Sequence, residues 1–331
     1  MFGISIPSEY GGAGADFLSL AIACEEVSKA SGSLGAQLSF HNAVVCEGIA
    51  ASSNTPLKES FLPKLASGTM GAFDFSSVTQ EKSKQISCKI EGNELVVTGT
   101  SDFVISAVQA GIFVFSGNLS GSKGEKVVFA FSRDDALRSK EFSIGEPRKL
   151  LGMRAAGTSS VSFRGMRIPL QSLLCEVPKT REYLEQLLAR ARLATASQAL
   201  GIGQAAVDAS VKYAGERVQF NTKIGSFYAI QDMIATDAVA IETARAQAYL
   251  TCSEIRTSKS LQRDSAIAKI SASNAALQAA RHAIRVHGGY GFTRDYPVER
   301  YARDSRLTQI YVESNEELKA LIAESYLGQL S

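Results

Sequence analysis

The chain has 331 residues, 45% of them apolar and 21% charged, enough for a packed core shared among one large or two to three smaller domains. Its 35 Lys and Arg stand against 33 Asp and Glu, and a net charge of +2 gives no electrostatic ground for nucleic acid as a partner. The cysteines form no C-x-x-C pair, and the spacing of His282 and His287 is wrong for an H-E-x-x-H zinc helix, so neither a disulfide framework nor a metal site is expected.

In chain order, residues 1–70 open with a Gly-rich turn, EYGGAGAD. DFLSLAIACEEVSKASG then reads as an apolar-faced helix ending near Gly32. A second apolar stretch over 34–51 and the segment TPLKESFLPKLASG complete a small helical region. The start, MFGISIPSEYGG, lacks the basic and apolar blocks of a secretory signal, and no apolar run approaches the roughly 18 residues of a membrane span. A reducing, cytoplasmic setting is the expectation.

Over 71–178 the period changes. Ile86, Cys88 and Ile90 alternate with Ser87 and Lys89, Gly92-Asn93 is a turn, and Leu95-Val96-Val97 follows. GIFVFSG and KVVFAFS are short, β-branched and aromatic, and the spacing predicts a β-barrel or sandwich, with Pro147, Pro169 and Pro178 punctuating its end. Residues 179–331 contain a single proline, Pro297, and three segments (180–217, 228–257 and 263–286) too long for strands. Ile230, Ile234, Ile241, Ala244, Ala248, Cys252 and Ile255 mark one apolar helix face, so the third region is predicted to be a helical bundle. Helices, then strands, then helices make an α+β fold, and no G-x-G-x-x-G is present to suggest a dinucleotide-binding alternation.

Four stretches now stand in order along nearly the whole chain: IPSEYGGAGADFLSLAIACEEVS, LGMRAAGTSSVSFRGMRIP, ASQALGIGQAAVDASVKYAGERVQF and HGGYGFTRDYPVERYARDSRLTQIY. Together they resemble the acyl-CoA dehydrogenase family. The resemblance implies an N-terminal helical domain over 1–70, a middle β-barrel over 71–178 and a C-terminal four-helix bundle over 179–331. It also implies an FAD lying between the middle and C-terminal domains and across a subunit contact in a homo- or hetero-tetramer. Family members usually carry roughly fifty residues ahead of the IPSEYGG segment, so the N-terminal domain is expected to be truncated. The implied substrate is an acyl-CoA or acyl-carrier thioester, and the implied electron acceptor is an electron-transfer flavoprotein.

The family reaction removes an α-proton and a β-hydride from the thioester. It needs a carboxylate at the α-carbon, donors for the enolate-like oxygen and a flavin over the Cα–Cβ bond. The Glu that follows Ile-Tyr in such proteins is replaced here by Val312. The alternative place, one residue before an Arg on the long helix, reads Ala191-Arg192, which leaves Arg192 as a candidate substrate-side residue. Glu313 is a candidate base; the competing reading makes it a solvated carboxylate ahead of a helix N-terminus. The Val312 backbone N–H is retained as a donor for the thioester oxygen.

On the flavin side, the usual Trp-Ile-Thr is matched by Phe103-Val104-Ile105. Phe103 keeps an aromatic face, while Ile105 cannot donate a hydrogen bond. In the altered segment AFDFSSVTQEKSK, Ser76 is the candidate flavin-binding hydroxyl. Arg217 and Phe220 match an Arg-x-x-Phe turn whose Arg, the resemblance implies, reaches the pyrophosphate of a neighbouring subunit's FAD, with Asn221 in place of the usual Gly. Gly288 and Gly289 match paired glycines near the cofactor, Arg285 replaces a Gln there, and Ser314 matches a cofactor-contacting Thr.

Ser314 also opens an S-x-x-E capping box with Glu317, an equally good account of its presence. Arg285 is read either as a phosphate contact or as an exposed helix charge, and the run from Glu299 to Arg306 as an ion-pair network. Three functions stay open: an acyl-thioester dehydrogenase, an FAD-binding non-catalytic subunit of a heteromer, and a flavin-free binding relative.

Overall fold

The computed structural model describes residues 1–74, 86–122, 124–138 and 140–328. Helices α1 (Phe17–Ala30), α2 (Gly32–Phe40), α3 (Glu47–Ala51) and α4 (Thr55–Ala66) come first. Strands β1 (Gly71–Asp74), β2 (Ser87–Glu91), β3 (Glu94–Val104), β4 (Ile112–Leu119) and β5 (Lys126–Ser132) follow. After the short α5 (Arg133–Leu137) come β6 (Phe142–Ile144) and β7 (Ser159–Pro169). The remainder is helical: α6 (Thr180–Glu216), α7 (Tyr228–Ser253), α8 (Leu261–His287), α9 (Val298–Thr308) and α10 (Asn315–Leu327). The two-residue strands β8 (Val218–Gln219) and β9 (Thr222–Lys223) join α6 to α7. The expected α+β order of helices, strands and helices is therefore the observed one.

The chain divides into two compact units. The first comprises Met1–Asp16, Gln37–Lys149 and Arg154–Ala191; the second comprises Phe17–Ala36, Leu150–Met153 and Arg192–Ser331.

In the first unit the expected barrel or sandwich is a seven-stranded mixed sheet in the order β1-β4-β2-β3-β7-β6, with β5 also paired to β4. Gly92, at φ +61°, makes the β2–β3 turn, and Cys88↔Val97 and Ile90↔Leu95 pair in register across it. The inward face is filled by rings: Phe113, Phe115, Phe129, Phe131, Phe142 and Phe163 lie with centroids 5.2–6.4 Å apart. Alternation in GIFVFSG and KVVFAFS places these phenylalanines together because β4 and β5 pair directly, Phe113↔Phe131 and Phe115↔Phe129.

The apolar stretch over 34–51 is helical with a π-helical turn at His41–Cys46. His41 is fully buried there. Its Nδ1 accepts the Gly71 N–H at 3.0 Å, Cys46 Sγ lies 3.4 Å from its Nε2, and the Phe2 ring meets it edge-on. Burial lowers its pKa to about 4, so the ring is neutral and serves as a packing group with one satisfied acceptor. All five cysteines are buried thiols.

In the second unit α8 packs against α7 and carries an alanine-rich buried face: Ala268, Ala272, Ala276, Ala279 and Ala283 are all buried. The helices approach so closely that a Cβ on Gly203 of α6 would lie 2.4 Å from Ile241 Cδ1 and 3.0 Å from Ala276 Cα. The charged run at 299–306 forms local pairs. Arg303 binds Glu299 at 2.7 and 2.9 Å, and Asp304 Oδ1 accepts the Met153 N–H at 2.6 Å. No helix among the described residues is long and apolar enough to cross a membrane.

Candidate functional site

The segment between α9 and α10, in the second unit, carries the displaced carboxylate. It is pinned at both ends, by the Tyr311 N–H on the Leu307 carbonyl (3.1 Å) and the Asn315 N–H on the Gln309 carbonyl (3.0 Å). Val312 between them has φ +70°, a left-handed conformation that a β-branched residue adopts only under constraint. Its N–H has no hydrogen-bond partner among the described residues. Val312 is half-buried, so this N–H is open to water or to a ligand oxygen.

Glu313 is held from α6. Arg192 donates from Nε to Oε2 at 2.6 Å and from Nη2 to Oε1 at 2.8 Å, a bidentate pair. The Arg192 side chain is 1% exposed and that of Glu313 16%. A third Arg192 nitrogen, Nη1, donates to Gln262 Oε1 at 2.8 Å. From α8, Lys269 Nζ donates to the Glu313 carbonyl at 2.7 Å and to Asn315 Oδ1 at 2.9 Å. Asn315 in turn donates to Ser273 Oγ at 3.0 Å. Burial lowers the Lys269 pKa to about 7, with Glu313 and Glu317 opposing that shift.

Ser314 is the N-cap of α10. Its Oγ accepts the Glu317 N–H at 3.2 Å, and its own N–H donates to Glu317 Oε2 at 2.7 Å. The capping box expected from S-x-x-E is therefore present, and it already engages the Ser314 hydroxyl.

A second cluster, also in the second unit, gathers Arg217, Phe220, Gly288 and Gly289 around a groove of about 630 Å³. Phe220 and Asn221, at φ +54° and +59°, form the two-residue turn of the β8–β9 hairpin, where Asn takes the left-handed state without strain. Phe220 is thrust outward and is 89% exposed. The Arg217 guanidinium lies 5.8 Å over the Tyr290 ring. Gly288 has φ 59° and ψ −134°, which only glycine adopts readily, and a Cβ there or at Gly289 would point into open space.

His287 contributes to the groove wall rather than to its floor chemistry. It is buried, it stacks on Tyr213 at 4.1 Å, and its Nδ1 lies 2.8 Å from the Ala283 carbonyl. Arg285 lines a different cavity of about 400 Å³ with Arg281, His282 and Gln278.

The first unit holds Phe103 on β3, 66% exposed. The Arg148 guanidinium sits 5.4 Å over its ring and pairs with Asp102 at 3.1 Å. Ser76 lies outside the described residues.

Profiles of the acyl-CoA dehydrogenase N-terminal and C-terminal domains match residues 1–69 and 154–327. A short-chain specific acyl-CoA dehydrogenase of Clostridium acetobutylicum is 34% identical over 98% of this chain and 86% of its own length. The chain belongs to the acyl-CoA dehydrogenase family. Its fold superposes on the butyryl-CoA dehydrogenase of Megasphaera elsdenii with a TM-score of 0.92, at 27% identity, covering 98% of this chain and 87% of that one. A structure described as the electron transferring flavoprotein of Acidaminococcus fermentans matches with a TM-score of 0.92 and 30% identity over 99% of this chain and 87% of that one.

Acyl-CoA dehydrogenase family members use FAD. The donor set of the Arg217 groove fits such a group: a guanidinium for a diphosphate, exposed aromatic faces for a ring, and side-chain-free backbone at Gly288 and Gly289 for close approach.

Lys269, Asn315, Gln262, Tyr290 and Arg148 escaped the sequence reading. For Lys269 a signal existed. Ser265, Lys269 and Ser273 recur every fourth residue on an otherwise alanine-rich helix, a polar stripe along a buried face.

Proposed function

We propose that this chain is an FAD-dependent flavoprotein of the acyl-CoA dehydrogenase type, acting on a short acyl-CoA thioester by α,β-dehydrogenation. The Arg217 groove carries the reading, because a cation with no carboxylate partner among the described residues, aromatic surface and glycine backbone coincide there on residues of the family's motif. Arg217, Phe220, Gly288 and Gly289 would hold the diphosphate of the cofactor, and Phe103 on β3 offers an exposed aromatic face of the kind a flavin ring takes. Bound FAD supplies the hydride acceptor. The Val312 N–H donates to the thioester carbonyl, which makes the α-proton more acidic. Family membership and the short-chain relatives favour a short acyl chain, a tetrameric assembly and an electron-transfer flavoprotein as acceptor.

The test is an anaerobic absorbance spectrum of the purified, FAD-supplemented protein with and without butyryl-CoA. Flavin bands near about 450 nm that bleach, at whatever rate, support the reading. Protein that stays colourless refutes it. Bands that never bleach would instead fit an FAD-binding subunit whose partner provides the base, the alternative that Val312 at the usual base position favours.

A further inference from the structure

The dehydrogenation proposed above needs a base, and the two residues that bear on it have exchanged roles. At 312, where the family places its carboxylate, stands a valine held left-handed with its N–H unpaired. At 313 stands a carboxylate whose two oxygens both accept from one buried guanidinium, while its carbonyl accepts from a buried ammonium. A carboxylate that abstracts a proton must keep a lone pair directed at the substrate. Both Glu313 oxygens are instead turned to Arg192, whose side chain is 1% exposed.

The same contacts do something useful to the backbone. A β-branched residue does not stay left-handed unless its surroundings over-determine it. Here the carbonyl after Val312 is fixed by Lys269, the side chain after it by Arg192, and the next helix by the Ser314 cap and by Asn315 bound to both Lys269 and Ser273. Each of these bonds bears on the orientation of the Val312 peptide.

We propose that Arg192, Lys269 and Asn315 are positioning residues that fix the 311–315 segment so that it presents the Val312 N–H to a thioester carbonyl while withholding the Glu313 carboxylate from proton transfer. Carbonyl polarisation is thereby retained while the α-proton passes only to solvent water, so that proton removal becomes the slow step. This rests on the functional reading above and names the step that limits it.

The experiment uses the full-length, FAD-loaded protein with butyryl-CoA as probe. Flavin bleaching and α-deuterium incorporation in D2O are measured for the wild type, Val312→Glu and Glu313→Gln. Isotope-edited infrared spectra of [1-13C]butyryl-CoA are taken on the wild type and Arg192→Lys. The expected wild-type result is a bound carbonyl band moved to lower wavenumber, with slow bleaching and slow α-exchange. Val312→Glu, which also exchanges a β-branched side chain for an unbranched one at a left-handed position, should raise both rates at least about 100-fold, the usual worth of a placed general base.

Arg192→Lys cannot form the bidentate pair, so the band should return toward its unbound position and thioester affinity should fall about tenfold with FAD content unchanged. Fast wild-type exchange that Glu313→Gln abolishes would make Glu313 the base and overturn the proposal while leaving the functional reading intact. A Val312→Glu protein that binds FAD and thioester yet gains no exchange would also overturn it. Should that variant not fold, the Glu313→Gln and Arg192→Lys results decide the matter. Failure of the wild type to bind thioester at all would refute the functional reading and this inference with it.

Discussion

Removing the Glu313 carboxylate should cost the protein far more than an ordinary surface acid would. Glu313→Ala deletes both acceptors of a guanidinium that is 1% exposed, leaving Arg192 with Gln262 and Ser265 as its partners among the described residues. A buried charge left so exacts about 3–5 kcal/mol; the surviving bond to Gln262 Oε1 at 2.8 Å argues for the lower end, about 3 kcal/mol. Arg192→Met leaves instead a carboxylate with 16% exposure, which finds water more easily, so about 2 kcal/mol is expected. The double variant Arg192→Met/Glu313→Leu removes both charges together and should come back to within about 1 kcal/mol of the wild type. Because the chain has no tryptophan, urea unfolding is best followed by far-UV circular dichroism, with hydrogen exchange on α8 and α10 to localise the loss. A Glu313→Ala cost below about 1 kcal/mol would mean a solvated surface pair and would refute the account of a buried clamp.

The Lys269 pKa, lowered by burial to about 7, sets a second expectation. Between about 7 and 10.5 the unfolded chain binds the proton that the folded one has released, so this group makes stability rise with pH across that window, by on the order of 1.4 kcal/mol per unit at most. Subtracting the pH profile of Lys269→Met from that of the wild type should expose that rise, and parallel profiles would contradict it. His41 acts at lower pH with the same sign. Its folded pKa of about 4 lies below the ordinary 6.5, so its contribution is complete above 6.5 and is lost as pH falls toward 4, about 3 kcal/mol in all. His41→Gln, which can still accept the Gly71 N–H, should flatten that limb of the acid-unfolding curve. Arg217→Gln removes the groove's cation and should weaken FAD retention by about 1.5–3 kcal/mol, roughly ten- to a hundredfold, without moving the unfolding midpoint of the FAD-free protein; undiminished flavin content would place the diphosphate elsewhere.

What could be read from the sequence was whatever short-range periodicity encodes. Alternation over 86–90 put Ile86 and Cys88 on the buried face of a sheet, although Ile90, read with them, is exposed, and steps of three and four put Ile241, Ala244, Ala248 and Cys252 on one face of α7, because those spacings are the geometry of the elements themselves. The capping box at Ser314 was legible for the same reason: its two partners lie three residues apart. The clamp was not. Arg192 and Glu313 are 121 positions apart, and nothing local distinguishes a carboxylate that will meet water from one that will meet a buried guanidinium. Nor does a valine announce a positive φ, since its own preference runs the other way and only tertiary contacts can impose it.

These two unreadable facts belong together. With Arg192 and Lys269 in place on their helices, the carboxylate at 313 is held by two charge-assisted bonds and the carbonyl of the same residue by a third. Moving an acid by one residue along a pinned loop thus converts it from a group that can take a proton into one that holds the loop still. The backbone donor at 312 profits from the exchange, because the strain that keeps its N–H unpaired is sustained by the very bonds that occupy Glu313.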